Sequence, residues 1–495
     1  MTNLVRSGYN LMSLPKPSMT TASDTAPLQA TLHTAPTQTD SKTSAKLGAQ
    51  AKSETNKQTS NLSAEVLIVG AGPAGCAAAI TLAQAGVDVL LIDQHDFPRD
   101  KVCGDGLIPD AMAALQALGV RETVMQAATQ VKGVMCHGPR GGSLRIPSEL
   151  AVLPRQTLDA CLFDRAQAVG ARTLTKARYQ KPTANAHGRV TGAIVNFNDQ
   201  TINIEAKWTI LATGASVPAL KASGHCTQPL PSAMALRAYI HHPDFLDDDG
   251  QAIEHLHISW HKAYAPGYAW IFPCPGGIFN VGVGLYGMHE TQRSSQGRGF
   301  GRDLGRELGR AQERGRGNSL GLTGMFKAPA KKQNLADLFE RFTQVNPMAK
   351  RLIETGEMIG DIKGAPLRCS LDGAKPAAPG MLITGEAMGS TYALTGEGIG
   401  KAMETGILSA RALLNRDQDA VIMQAYTDML KDLKPKFTIY EQANKINRAP
   451  WLIDLAIARG NRSPRLVARM SRVLEEKANP AKLFTWRGAW KFLTE

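Results

Sequence analysis

Three short stretches hold residue types and spacings that can do chemistry. The first is Glu65-Val-Leu-Ile-Val-Gly-Ala-Gly-Pro-Ala-Gly-Cys-Ala-Ala-Ala79, in which Gly70, Gly72 and Gly75 fit G-x-G-x-x-G. Gly70 allows a tight turn, and Gly72 lets backbone approach a pyrophosphate. Pro73 and Ala74 open a helix whose amides and partial positive charge favour an anion. The next apolar run, Val87-Asp-Val-Leu-Leu-Ile92, ends in Asp93, which can accept from a ribose hydroxyl. A strand, a glycine turn, a helix and an acid after the next strand read together as a dinucleotide site, with an ordinary buried βαβ unit as the alternative.

The second stretch is Phe97-Pro-Arg-Asp-Lys-Val-Cys-Gly-Asp-Gly-Leu107. Arg99, Lys101 and Cys103 follow the ribose acid so closely that they suit a catalytic or phosphate-binding role; a plain polar loop has the same composition. The third stretch runs from Gly380 to Gly406. A strand ends in Gly385-Glu386, and Gly396-Glu-Gly-Ile399 opens a helix. The amides of that helix start can face an electron-rich acceptor, although tight helix–sheet packing explains the glycines too.

Each stretch needs elements to position it. Apolar runs at 65–69, 87–92 and 209–212 read as buried strands, and the small-residue turn around Gly214 lets backbone pass a ligand. Helices are expected from Pro109 and from Pro154, with Arg155 at the second start. A cation gains nothing from the dipole there, so Arg155 calls for a specific anionic or polar partner. Alternation over 131–147 and 190–210 suggests further strands. Gly267-Tyr-Ala-Trp-Ile-Phe-Pro273 and Ile278-Phe-Asn-Val-Gly-Val-Gly284 flank Pro275-Gly-Gly277 and read as a hairpin. Its aromatic face suits either an apolar substrate wall or plain sheet core.

The bulk composition narrows the classes. The chain has 495 residues, 43% hydrophobic and 20% charged, which suits an α/β protein of two or more domains. No apolar run is long enough to span a bilayer, and the N-terminus has no secretory apolar core. Seven scattered cysteines without a C-x-x-C pair suit free thiols in a reducing compartment, so neither disulfides nor a metal site is expected, and a cytoplasmic location is. The formal net charge is +13, and the last 65 residues carry 14 Lys/Arg against 6 Asp/Glu. Large apolar and aromatic residues stand beside Lys and Arg at Trp451 to Ala458 and at Leu483 to Leu493, which suits an interfacial segment or packing on the core. Residues 1–60 read as a disordered extension. The arginines between 293 and 316 stand among glycines with no aromatic platform interleaved, so a mobile insertion is expected and no nucleic acid.

Taken in order, these motifs resemble the geranylgeranyl reductase family of FAD-dependent oxidoreductases, within the flavin hydroxylase superfamily. Lys101-Val-Cys-Gly-Asp-Gly106 is similar to the family's K-x-C-G-[GD]-G loop, and Tyr268-Ala-Trp-Ile-Phe-Pro273 to its Y-x-W-x-F-P strand. The loop variant with Asp105 most resembles members that reduce the menaquinone side chain. Two positions depart from the pattern: Glu386 stands where the family has Asp, and Ala393 where it has Pro.

The resemblance implies a glutathione-reductase-like, Rossmann-type FAD domain with an inserted antiparallel substrate domain and a helical C-terminus. The FAD domain would take residues 61–220 and 375–415, lending strands near 131–150 to the substrate domain. The substrate domain would span 221–374, including the insertion 290–333, and the basic helical region 416–495. Gly70, Gly72, Pro73, Ala74, Gly75, Asp93, Arg99, Arg155, Gly214, Gly385, Glu386 and the 396–399 turn (Gly396, Glu397, Gly398, Ile399) would hold FAD. Lys101, Cys103 and Asp105 would be catalytic, and Tyr268, Trp270 and Phe272 would line a prenyl cavity. The implied activity is reduction of carbon–carbon double bonds in a prenylated lipid or quinone. Electrons would come from an external donor, NAD(P)H or ferredoxin, and the basic C-terminus would rest on the inner membrane face. An FAD monooxygenase is the alternative within the scaffold, a halogenase fits the Tyr268–Phe272 motif less well, and a non-catalytic lipid-binding module stands outside both.

Overall fold

The computed structural model describes residues 62–286 and 335–478. The expectations for residues 1–60, for the 290–333 insertion and for the segment from Leu483 lie outside those residues.

Two eight-stranded sheets organise the chain. In the first, Leu62–Val69 pairs in parallel with Val89–Ile92 on one side and Gln200–Leu211 on the other, which in turn pairs with Met381–Ile383. Towards their carboxyl ends these strands are apolar without alternation because both faces are covered there, as in parallel sheets generally. The register sets Val69 opposite Ile92 and Leu211, and Leu211 opposite Ile383. Four strand ends are therefore level at one edge, and the segments following them (from Gly70, Asp93, Ala212 and Thr384) meet there. Carboxyl strand ends are where open α/β sheets bind ligands.

Helix Pro73–Gln84 leaves that edge with Ala77, Ala78 and Ala79 fully buried, and packs against helix Ile399–Leu413. Small residues make the approach possible. A Cβ on Gly75 would lie 1.8 Å from the Gly70 carbonyl oxygen, and one on Gly406 would lie 2.2 Å from that of Ala74.

The second sheet runs Glu357–Leu367, Ala233–His241, Ile278–Tyr286, Gly267–Cys274, Leu256–Ser259, Thr129–His137, Ser143–Val152 and Gly106–Leu107. The hairpin expected around Pro275-Gly-Gly277 is present, with Trp270 opposite Gly282 and Tyr268 opposite Gly284. Alternation decides what each face meets. Ala269 and Ile271 pack with Phe339 and Phe342 of helix Leu335–Val345, whereas Tyr268, Trp270 and Phe272 point to the other face. The glycines opposite serve the same end: a Cβ on Gly282 would sit 2.2 Å from Trp270 Cζ2.

Helices Asp419–Ala443, Trp451–Gly460 and Pro464–Leu474 complete the described chain. Tyr426 Oη donates to the Ile383 carbonyl at 2.8 Å and ties the first of them to the first sheet. Leu144 packs with Ile453 and Ile457 and ties the second to the other sheet. Among the described residues, no helix is long and apolar enough to cross a membrane.

Candidate active site

A cavity of about 880 Å³ extends from the level strand ends of the first sheet to the aromatic face of the second. At the strand ends its wall is polar and basic. Gly70 has φ +102°, and a Cβ there would strike the Ala212 carbonyl. Gly72 is different: a Cβ would meet only open cavity, with Arg99 Nη2 and Arg155 Nη2 at 3.7 and 3.8 Å. Gly72 also begins helix Pro73–Gln84 without any side-chain cap. Unpaired amides and two guanidinium groups thus face one space, and an anion matches all of them.

The acids around that space hold the arginines. Asp93 accepts from the Ala71 amide at 2.8 Å and the His95 amide at 2.9 Å. Arg155 grips Asp159 with two bonds, at 2.6 and 2.8 Å, and Arg99 Nη1 approaches the same carboxylate at 3.2 Å. Arg99 Nε is buried with no partner among the described residues. Asp159 is fully buried, and sequence reasoning missed it. The i,i+4 spacing from Arg155 was the available signal.

The 97–107 loop crosses the middle of the cavity, clamped on both sides. Asp100 accepts from Arg237 at 2.5 Å and Lys363 at 2.7 Å. Asp105, in the left-handed region at φ +64°, accepts from Tyr239 Oη at 2.5 Å, Asn280 Nδ2 at 2.7 Å and the Arg155 amide at 3.2 Å. Asn280 Nδ2 also donates to the Cys103 carbonyl at 2.8 Å, and its Oδ1 accepts from Trp270 Nε1 at 2.8 Å. Lys101 and Cys103 lie between the clamps and line the cavity. Burial pushes the Cys103 thiol up, and the nearby Asp105 adds to it. Burial also pushes the Asp105 carboxyl up to about 6.

Opposite the loop, Gly214, Glu386 and the 396–399 turn line the same cavity. Glu386 Oε1 lies 3.4 Å from the Arg368 amide, and a Cβ on Gly214 would come within 4.0 Å of Oε2. Helix Ile399–Leu413 starts at Gly398 with no side-chain cap, so its first amides face the cavity unpaired by any cap. Tyr268 Oη donates to the Thr395 carbonyl and also receives a bond from Tyr286 Oη at 3.1 Å. Gly75 and Gly385 do not line the cavity. They are packing positions, and a Cβ on Gly385 would lie 2.6 Å from that of Ala74.

The far end is apolar. Tyr268, Trp270 and Phe272 form its floor with Leu256 and Ile258, and Tyr440, Met470 and Leu474 of the C-terminal helices form its roof. Sequence reasoning did not anticipate that roof. It also missed a buried cluster behind the 396–399 turn, where Lys401 meets Asp110, Glu404 and Glu476 at 3.3, 2.9 and 2.9 Å.

Comparison with known proteins agrees with this geometry. Residues 63–241 match the family described as an FAD binding domain. The chain is 30% identical over 364 residues to the menaquinone reductase of Mycobacterium tuberculosis, covering 72% of this chain and 78% of that one. It is 26% identical over 357 residues to the digeranylgeranylglycerophospholipid reductase of Methanothrix thermoacetophila, covering 70% and 77% respectively. In fold it is similar to a geranylgeranyl bacteriochlorophyll reductase-like protein from Thermoplasma acidophilum. That match has TM-score 0.64 and 19% identity, and covers 86% of this chain and 99% of the other.

Proposed function

The chain belongs to the geranylgeranyl reductase family of FAD-dependent oxidoreductases, and on that premise we propose that it saturates carbon–carbon double bonds of a prenylated lipid or quinone. One observation carries the reading: a single cavity joins a basic, amide-lined end to an aromatic chamber roofed by helices. A dinucleotide and an isoprenoid chain are the two ligands that such a cavity can hold side by side.

The residues fit FAD. Gly72 leaves the space a pyrophosphate needs, with Arg99 and Arg155 to neutralise it and Asp93 beside it for a ribose. Glu386, though longer than the family's Asp, is half-buried at the cavity wall and can accept from the ribityl chain. The uncapped start of helix Ile399–Leu413 offers amides to the electron-rich end of the ring. When bound and reduced, FAD supplies a hydride.

The rest is the work of the chain itself. Tyr268, Trp270 and Phe272 orient an apolar chain and keep water from it. The clamps on Asp100 and Asp105 hold Lys101 and Cys103 at the cavity wall between the cofactor end and the chamber. Asp105 serves by anchoring the loop, since its carboxylate is wholly buried and accepts from Tyr239, Asn280 and the Arg155 amide. The substrate is a membrane lipid on this reading, and the basic C-terminal helices, with Trp451 61% exposed, suit a membrane surface. Electrons come from an external donor, a nicotinamide or a ferredoxin.

The test is anaerobic. Purified protein is reduced, and prenylated quinones and geranylgeranyl lipids are added and weighed by mass spectrometry. Flavin reoxidation with a product heavier by two hydrogens supports the reading, and the product names the substrate. Reoxidation by oxygen alone, with products heavier by one oxygen, replaces it with a monooxygenase. A colourless protein removes both.

A further inference from the structure

We propose that Glu397 is the acid that supplies the proton for this reduction, and that the lysine–carboxylate cluster behind it keeps it protonated between turnovers. The inference rests on the prenyl-reductase reading above. Saturating a double bond breaks its π bond and adds two different particles. One carbon takes hydride, with its electron pair, from the reduced flavin, and the other takes a proton. Here the proton leaves the Glu397 carboxyl, and the carboxylate that remains regains one from water. The alkene gains two electrons and the flavin loses two.

Placement is the first argument. Glu397 lies where the cofactor end and the aromatic chamber meet, flanked by Gly396 and Gly398 and lining the cavity. The preceding residue but one, Thr395, takes the Tyr268 hydroxyl on its carbonyl, and a Cβ on Gly396 would lie 2.6 Å from Tyr286 Oη.

The charge count is the second. Four carboxyls converge here from four parts of the chain: Asp110 of helix Pro109–Ala117, Glu397 of the turn, Glu404 of helix Ile399–Leu413, and Glu476 after helix Pro464–Leu474. Among the described residues two cations face them, Lys401 and Lys436. The neutral groups present are the hydroxyls of Thr395, Tyr392, Tyr440, Tyr268 and Tyr286. Lys401 is 1% exposed and has three donors, and it directs them at Asp110, Glu404 and Glu476. Lys436 bonds Glu476 at 3.1 Å. Neither cation is left for Glu397, so at neutral pH that carboxyl keeps its proton. Burial, then the charges of Asp110 and Glu476, push it up to about 8. The other acids on the wall serve less well. Cys103 is made a weaker acid by burial, and the Asp105 carboxylate is occupied by three donors.

Two readouts on the holoenzyme test this. Infrared difference spectra across about pH 7 to 10, above the range in which Asp105 titrates, should show wild type losing the carbonyl stretch of a protonated carboxyl. The midpoint is expected near 8, and the band should be absent from Glu397→Gln. In anaerobic single turnovers with the prenyl lipid, Glu397→Gln should slow substrate-dependent reoxidation by about 100-fold or more. Its flavin spectrum, its reduction by dithionite and its melting temperature should stay near wild type, and Glu397→Asp should recover part of the rate. A band that persists in Glu397→Gln, or reoxidation of that variant at the wild-type rate, overturns the proposal. Wild type that shows the band but turns over no prenyl lipid removes the reductase reading and the donor role with it. The infrared result alone then separates that failure from a misassigned acid.

Discussion

The side-chain amide of Asn280 lies 2.7 Å from the carboxylate of Asp105, a residue 175 positions earlier in the chain. That single contact joins the floor of the aromatic chamber to the loop that carries Lys101 and Cys103. Asn280 also binds the Cys103 carbonyl and accepts from Trp270, so movement of the floor and of the loop is coupled through one amide.

Replacing Asn280 with Leu strands the Cys103 carbonyl and the Trp270 indole N–H, and takes one of two donors from Asp105 Oδ2. Each stranded buried group costs about 1–3 kcal/mol, with the total well below the sum because Tyr239 and the Arg155 amide still hold Asp105. A loss on the order of 3 kcal/mol in urea unfolding is expected, with weaker flavin retention. Wild-type stability in this variant would show that the clamp holds nothing.

Asp105 also gives the fold a pH dependence of known sign. Its folded value is raised from 3.8 to about 6, so the folded chain binds this proton more tightly than the unfolded one. Below about pH 4 both states are protonated and no cost exists. As pH rises from there to 6 the unfolded state gives up the proton first and stability falls, by about 3 kcal/mol in all. Asp105→Asn should flatten that slope between about pH 4 and 6, read as urea midpoints along the series. An unchanged slope would mean that another group titrates.

Much of this site was legible in the sequence because its signals are local. The glycine turn, Asp93 and the strand–turn–helix order fall within thirty residues, and the hairpin from Gly267 to Tyr286 is announced by alternation and Pro-Gly-Gly. The remainder depends on distance. Asp105, Tyr239 and Asn280 belong to three separate elements, and Asp110, Lys401 and Glu476 span the described chain. Periodicity reports which face of an element is apolar, never which charge will oppose it. The roof of the chamber was missed for the same reason: Met470 and Leu474 stand far along the chain from the Tyr268–Phe272 strand whose chamber they cover. Gly75 and Gly385 were grouped with the ligand-facing glycines, although the space they leave is filled by Gly70 and Ala74.

Gly282 carries a prediction about shape. A methyl there would meet Trp270 Cζ2 at 2.2 Å and the Leu236 carbonyl oxygen at 2.5 Å. The indole must rotate into the chamber, and the neighbouring strand at Leu236 must shift as well. Gly282→Ala should cost about 1–3 kcal/mol in unfolding and raise the KM for a long prenyl substrate more than it lowers kcat. An unaltered KM would place the substrate elsewhere.

The two glycines Gly72 and Gly75 make opposite predictions. A Cβ on Gly72 finds its nearest neighbours at 3.7 Å, an ordinary contact, and its φ of −81° suits any residue. Gly72→Ala should therefore fold with a loss under about 1 kcal/mol, chiefly from the poorer helix cap. The methyl occupies the space between the two guanidinium groups, so FAD affinity should drop at least about tenfold, measured by flavin fluorescence titration of the stripped protein. Gly75→Ala places its methyl 1.8 Å from the Gly70 carbonyl, inside the helix–strand contact. There the stability loss should come first, at about 3 kcal/mol or more, and any loss of flavin should follow from it. Refilling both variants with excess FAD separates the two causes. Gly72→Ala should keep its wild-type melting temperature without flavin and gain little from it, whereas Gly75→Ala should melt early whether or not FAD is present. If Gly72→Ala binds FAD as tightly as wild type, the pyrophosphate does not lie between Arg99 and Arg155.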